Sequence, residues 1–153
     1  MFNSLAKVKP EIKDDVLFQK GLKVIKHIQI GLLIILVLFY GLSIILGKIP
    51  MSLQLMYSIL MRTLAILALS TGYKTFMIFF LIMNSIGAVG VIVIFTTYLN
   101  RLNSLGIFMC ILEIVLVIAI LFAYIYVFVN KDTKYVIEVT KQIMKEIKEA
   151  NKK

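Results

Sequence analysis

The chain has 153 residues, of which 61% are hydrophobic and 16% charged, with 17 lysines and arginines against 8 aspartates and glutamates and a mean hydropathy of +0.98. A soluble domain is about 45–50% apolar and about 25% charged, so this chain carries more apolar surface than a core of its length can hide, and an all-α integral membrane protein is expected. One cysteine excludes an intramolecular disulfide framework, and one cysteine with one histidine cannot complete a tetrahedral Cys/His zinc site.

The first 27 residues are polar-rich. From Pro10, a favourable first helical position, Ile12, Val16, Leu22, Val24, Ile25 and Ile28 fall on one broad apolar side with lysines elsewhere, which predicts an amphipathic N-terminal segment over residues 1–27. The segment has no small-x-small cleavage pattern, so the apolar run that follows is expected to remain in the mature chain.

A hydrocarbon core of about 30 Å needs about 20 apolar residues. The sequence offers stretches at 28–46, 51–70, 76–99 and 107–129, predicting a bundle of four transmembrane helices. The first ends at Gly47-Lys48-Ile49-Pro50, a turn signal. The second holds Gln54, Ser58, Arg62 and Thr63. Its leucines and isoleucines, at about −0.5 kcal/mol each, nearly cancel the cost of about +3 kcal/mol for a central arginine, so it is expected to enter as a hairpin with the first. The fourth is the most hydrophobic. After it, over residues 130–153, Asp132 is expected to cap a second amphipathic helix whose Val136, Val139, Ile143 and Ile147 recur at i, i+3, i+7 and i+11. That stripe suits the inner membrane surface, a protein partner or a second copy of the chain.

Lysine placement predicts the topology, because cytoplasmic loops collect positive charge. With both termini inside, that side holds Lys7, Lys9, Lys13, Lys20, Lys23, Lys26, Lys74 and the lysines from Lys131 onward, against Lys48 and Arg101 outside. The excess of lysine over arginine and the abundance of isoleucine point to a prokaryotic plasma membrane. Nucleic acid is not expected as a partner, since acids divide the basic tails and no aromatic side chains alternate with the lysines.

Polar groups inside spans are costly and mark the residues to examine. Counting about 1.5 Å per residue puts Arg62 about 18 Å below the outer face, Asn84 about 17 Å, Tyr40 about 10–12 Å and Glu113 about 10 Å. The arginine leans outward toward the level of Glu113, so a pair is expected, with Gln54, Ser58 and Arg62 forming a stripe turned to the bundle. Such a cluster either fixes helix order or lines a path for a proton or an anion. In the third helix, Gly87, Ala88 and Gly90 of Asn84–Gly90 are small enough for close helix packing. His27 reads as an interfacial residue and Cys110 as a small hydrophobe. Nucleophile, phosphate-loop and metalloprotease templates are absent, and neither an enzyme nor a cofactor is expected.

Two functional classes follow from these residues. The first is a non-catalytic multi-pass protein that acts through protein partners or self-assembly, as an accessory, immunity or membrane-anchored component. The alternative is an oligomeric ion channel, pore or small transporter built on the Arg62/Glu113 cluster.

Overall fold

The described residues of the computed structural model are 10–47, 53–98 and 104–150, and they are helical apart from short turns. A 3-10 turn at Pro10–Lys13 leads into α1 (Val16–Gly47), followed by α2 (Leu53–Leu69), α3 (Lys74–Tyr98), α4 (Ser104–Val129) and α5 (Lys131–Ala150). Three stretches are long and apolar enough to cross a membrane: Val16–Leu42, Lys74–Thr97 and Gly106–Val129. Met56–Leu69 is a shorter apolar stretch.

The outer surface of these helices is apolar, with Ile34, Val37, Leu38, Ile82, Ile86, Val89, Phe122 and Ile125 exposed. A surface of this kind suits lipid rather than water. Inside, Leu32, Leu36, Phe39, Ile66, Leu69, Met77, Phe80, Leu116, Ile120 and Val127 form one core. Within the helices, the Thr63, Ser85 and Thr96 hydroxyls donate to carbonyls one turn back, which keeps them satisfied without a partner helix.

Residues 1–9 of the N-terminal segment lie outside the described residues, and from Val16 onward that segment and the first apolar stretch are one helix. Asp15 caps it by accepting the amide hydrogen of Phe18 at 3.0 Å, and α1 then runs without a break through His27 and Ile28. At about 1.5 Å per residue it is about 48 Å long, well beyond the hydrocarbon thickness. The change from polar to apolar at residue 28 is a change of surroundings, which the backbone does not register. Of the apolar side expected there, Ile12, Leu22 and Ile25 are buried, Val24 and Ile28 are half-buried, and Val16 is exposed. Phe18, which the periodicity did not select, is buried in its place.

α5 folds back on the first part of α1. The cap of α5 is Asn130, whose Oδ1 accepts the amide hydrogens of Asp132 and Thr133, and not Asp132 as the sequence suggested. Asp132 lies in the first turn and pairs with Lys20 at 2.9 Å, while the Tyr135 hydroxyl donates to Asp15 at 2.8 Å. Val136, at Gly21, is buried, as are Ile137 and Ile143, and Val139 and Ile147 pack partly against the core. Gly21 allows the approach: a Cβ there would lie 2.7 Å from the Asp132 carbonyl carbon and from Val136 Cγ2. The turn after α2 reaches the same end, where Gly72, at φ 63°, lies against Thr140 of α5.

Candidate functional site

The polar residues of the apolar helices converge on Arg62, which is 5% exposed. Arg62 Nε and Nη2 both donate to Glu113 Oε1, at 3.1 and 2.9 Å. Its Nη1 donates to the Asn84 side-chain oxygen and to the Asn84 carbonyl at 3.4 Å. The second carboxylate oxygen, Glu113 Oε2, accepts the Tyr40 hydroxyl at 3.2 Å, and Ser58 donates in turn to Tyr40 at 2.9 Å. Tyr40, Ser58 and Arg62, Asn84, and Glu113 come from α1, α2, α3 and α4 in turn. Each of the four apolar helices α1–α4 therefore supplies at least one member of a single hydrogen-bonded network.

Local sequence explains the placement. Ser58 and Arg62 are one turn apart and share a face of α2. Gly87 leaves room for the guanidinium, since a Cβ at that position would stand 3.3 Å from both Nη1 and Nη2 of Arg62. Ala88 is half-buried, and Gly90 has open space where a Cβ would be. The small residues of α3 thus act first through Arg62, at Gly87. Gln54 belongs to α2, but its side chain lies outside the described residues.

Chemically, the network is close to saturation. The guanidinium charge faces a carboxylate across hydrogen bonds, and both carboxylate oxygens are used. Asn84 Nδ2 is the buried side-chain atom of this group that lacks a partner. Among the described residues, no three histidine, cysteine, aspartate or glutamate side chains stand together in a way that could hold a metal ion. Cys110, one turn before Glu113, is half-buried and makes no disulfide. His27 is exposed, with Nδ1 2.7 Å from the Lys23 carbonyl oxygen.

Two buried polar groups were not anticipated. The Tyr124 hydroxyl, fully buried, donates to the Ala65 carbonyl at 2.6 Å and ties α4 to α2. A tyrosine inside an apolar run was the available signal, because a buried phenol needs an acceptor. The Thr133 hydroxyl bonds back to the Val127 carbonyl at 2.7 Å and holds the joint between α4 and α5. At the other end of the same contact, the Phe18 amide and the Tyr135 hydroxyl hold the Asp15 carboxyl below its ordinary 3.8, and the same bond raises the Tyr135 phenol.

Searches of family models, curated proteins and solved structures find no match to this chain.

Proposed function

We propose that this chain is a non-catalytic membrane protein of four spans, both termini on the cytoplasmic side of a prokaryotic plasma membrane, that works by associating with other membrane proteins or with copies of itself. The accessory, immunity and membrane-anchored roles all fall within this reading.

The observation that carries it is the closure of the Arg62 network. Its one guanidinium is neutralised by Glu113, and Tyr40, Ser58 and Asn84 take up the remaining bonds, so no charged group of the cluster is left to meet a substrate or a passing ion. A group built for chemistry normally keeps an open position or a reachable proton. The return of α2 supports the four-span count. Its C-terminal turn meets α5, and α5 packs on the beginning of α1, so α2 runs back to the end from which α1 started. At about 25 Å, α2 is short for an isolated span, and the buried partners of Arg62 offset the charge that would otherwise oppose insertion. The same end carries Lys20, Lys23, Lys26, Lys74, Lys134, Lys141 and Lys145, which supports a cytoplasmic assignment for it.

The channel reading needs an open, charged conduit, and the pairing of Arg62 with Glu113 weighs against it. The test is flux through liposomes containing the purified chain. No anion or proton flux above empty liposomes is the expected result. Flux that is lost on Arg62→Leu or Glu113→Gln would replace this proposal with the channel.

A further inference from the structure

A groove of 390 Å³ opens where α3 begins, α4 ends and α5 passes beside them. Its wall is apolar, made by Ile78, Phe128 and Ile137, and its rim carries Lys74, Lys134 and Lys141 with a single acid, Glu138. Lys134 and Lys141 are two turns apart on one face of α5, about 10 Å along the axis, and Lys74 approaches from α3. Lys134 reaches Glu138 only at 3.9 Å, with both side chains more than 60% exposed, so the acid neutralises little of the rim. Lys74 stands at the first residue of one membrane-crossing stretch, and Phe128 is next to the last residue of another. The lysines therefore lie at the level where spans leave the hydrocarbon, and Ile78, 38% exposed, continues the wall into it.

From this geometry we infer a binding site for an anionic phospholipid, with the headgroup phosphate between Lys74, Lys134 and Lys141 and an acyl chain along Ile78 and Phe128. Charge complementarity selects the head, since the rim is net positive. The wall selects the tail, because an occupant without an apolar part would leave Ile78 and Phe128 unsatisfied. Basic pockets between spans at the cytoplasmic interface hold phospholipid headgroups by the same physics. A lipid held there would bridge α3, α4 and α5 and tie the extramembrane helix to the bundle.

The inference extends the membrane reading and rests on it. It is tested in neutral detergent, where lipid retention depends neither on which way the termini face nor on a protein partner, so a failure here leaves that reading standing. Native mass spectrometry of the full chain dosed with phosphatidylglycerol or phosphatidylcholine of identical acyl chains gives the bound fraction. Phosphatidylglycerol is expected to bind at least tenfold more strongly. Lys74→Gln, Lys134→Gln and Lys141→Gln are each expected to weaken it about fivefold, at about one lysine's share of headgroup attraction. Lys145→Gln with Lys148→Gln removes two charges one and two turns beyond the groove on α5, twice the charge of any single variant, and should leave binding within about twofold. Glu138→Gln, which disturbs no buried group, should tighten it. Equal retention of phosphatidylcholine, equal weakening by the Lys145 and Lys148 pair, or no tightening with Glu138→Gln would overturn the inference. Displacement of the lipid by equimolar inorganic phosphate would also overturn it, by assigning the lysines to free phosphate.

Discussion

Replacing Glu113 by leucine leaves the Arg62 guanidinium, 5% exposed, with Nε and Nη2 unaccepted and removes the acceptor of the Tyr40 hydroxyl. An unpaired buried charge of this kind costs about 3–5 kcal/mol. Arg62→Met alone strands the carboxylate and costs a similar amount. Glu113→Gln keeps one oxygen acceptor for Arg62 but turns the other into an amide donor and removes the counter-charge, so it is expected to cost at least the charge assistance, about 1.5–3 kcal/mol, and no more than Glu113→Leu. Combining Arg62→Met with Glu113→Leu removes both charges and leaves only the weaker demands of Tyr40 and Asn84, about 1 kcal/mol each. The double variant is therefore expected to be more stable than either single variant. Unfolding in mixed micelles, followed by circular dichroism against added denaturing detergent, gives the midpoints of the parent chain and of the four variants. Single variants within about 0.5 kcal/mol of the parent chain, with no coupling between them, would refute the buried pair.

The remaining expectations concern the glycines and the contact between α1 and α5. Gly87→Val should displace the guanidinium and destabilise nearly as much as Arg62→Met, whereas Gly87→Ala, with its Cβ 3.3 Å from Nη1 and Nη2, should cost less than about 1 kcal/mol in the same micelle assay. Gly21→Leu should push α5 off α1 and expose residues 131–150 to limited proteolysis while leaving the bundle intact, at a cost of about 1–3 kcal/mol. The same contact should depend on pH. The Asp15 carboxyl is held below 3.8, so its contribution is complete above about pH 4 and is lost as pH falls through the folded value. The Tyr135 phenol is held above 10.0, so its contribution is complete below that value and is lost as pH rises through the folded one. Protease protection of α5 measured against pH should show both limbs, and Asp15→Asn should flatten the acid one.

The polar residues of the apolar helices were legible because polarity is anomalous in such stretches. Tyr40, Ser58, Arg62, Asn84 and Glu113 stand out in an apolar sequence, and a helical rise of about 1.5 Å per residue already brings them to neighbouring depths. The handedness of each helix face was less accessible. Gly87 looked like a backbone contact, and its role in admitting a guanidinium depends on where Arg62 points. The continuity of α1 was hidden because hydropathy reports solvent, and a helix can cross from water to lipid without a break. The destination of α5 was hidden for a different reason. Val136, Val139, Ile143 and Ile147 mark an apolar stripe, but periodicity does not say whether lipid, a partner or the chain itself will cover it. The decisive partners, Gly21 and Asp15, lie more than a hundred residues away and carry no signal beyond their small size and charge.

The proposed role requires the chain to associate with other membrane proteins or with copies of itself. The native mass of the protein after gentle extraction from its own membrane, with every co-purifying chain identified, tests it directly. The expected result is a particle heavier than one 17.4 kDa chain at fixed stoichiometry, with either a foreign membrane protein or further copies in it. A lone monomer at every protein concentration and in every mild detergent would contradict it.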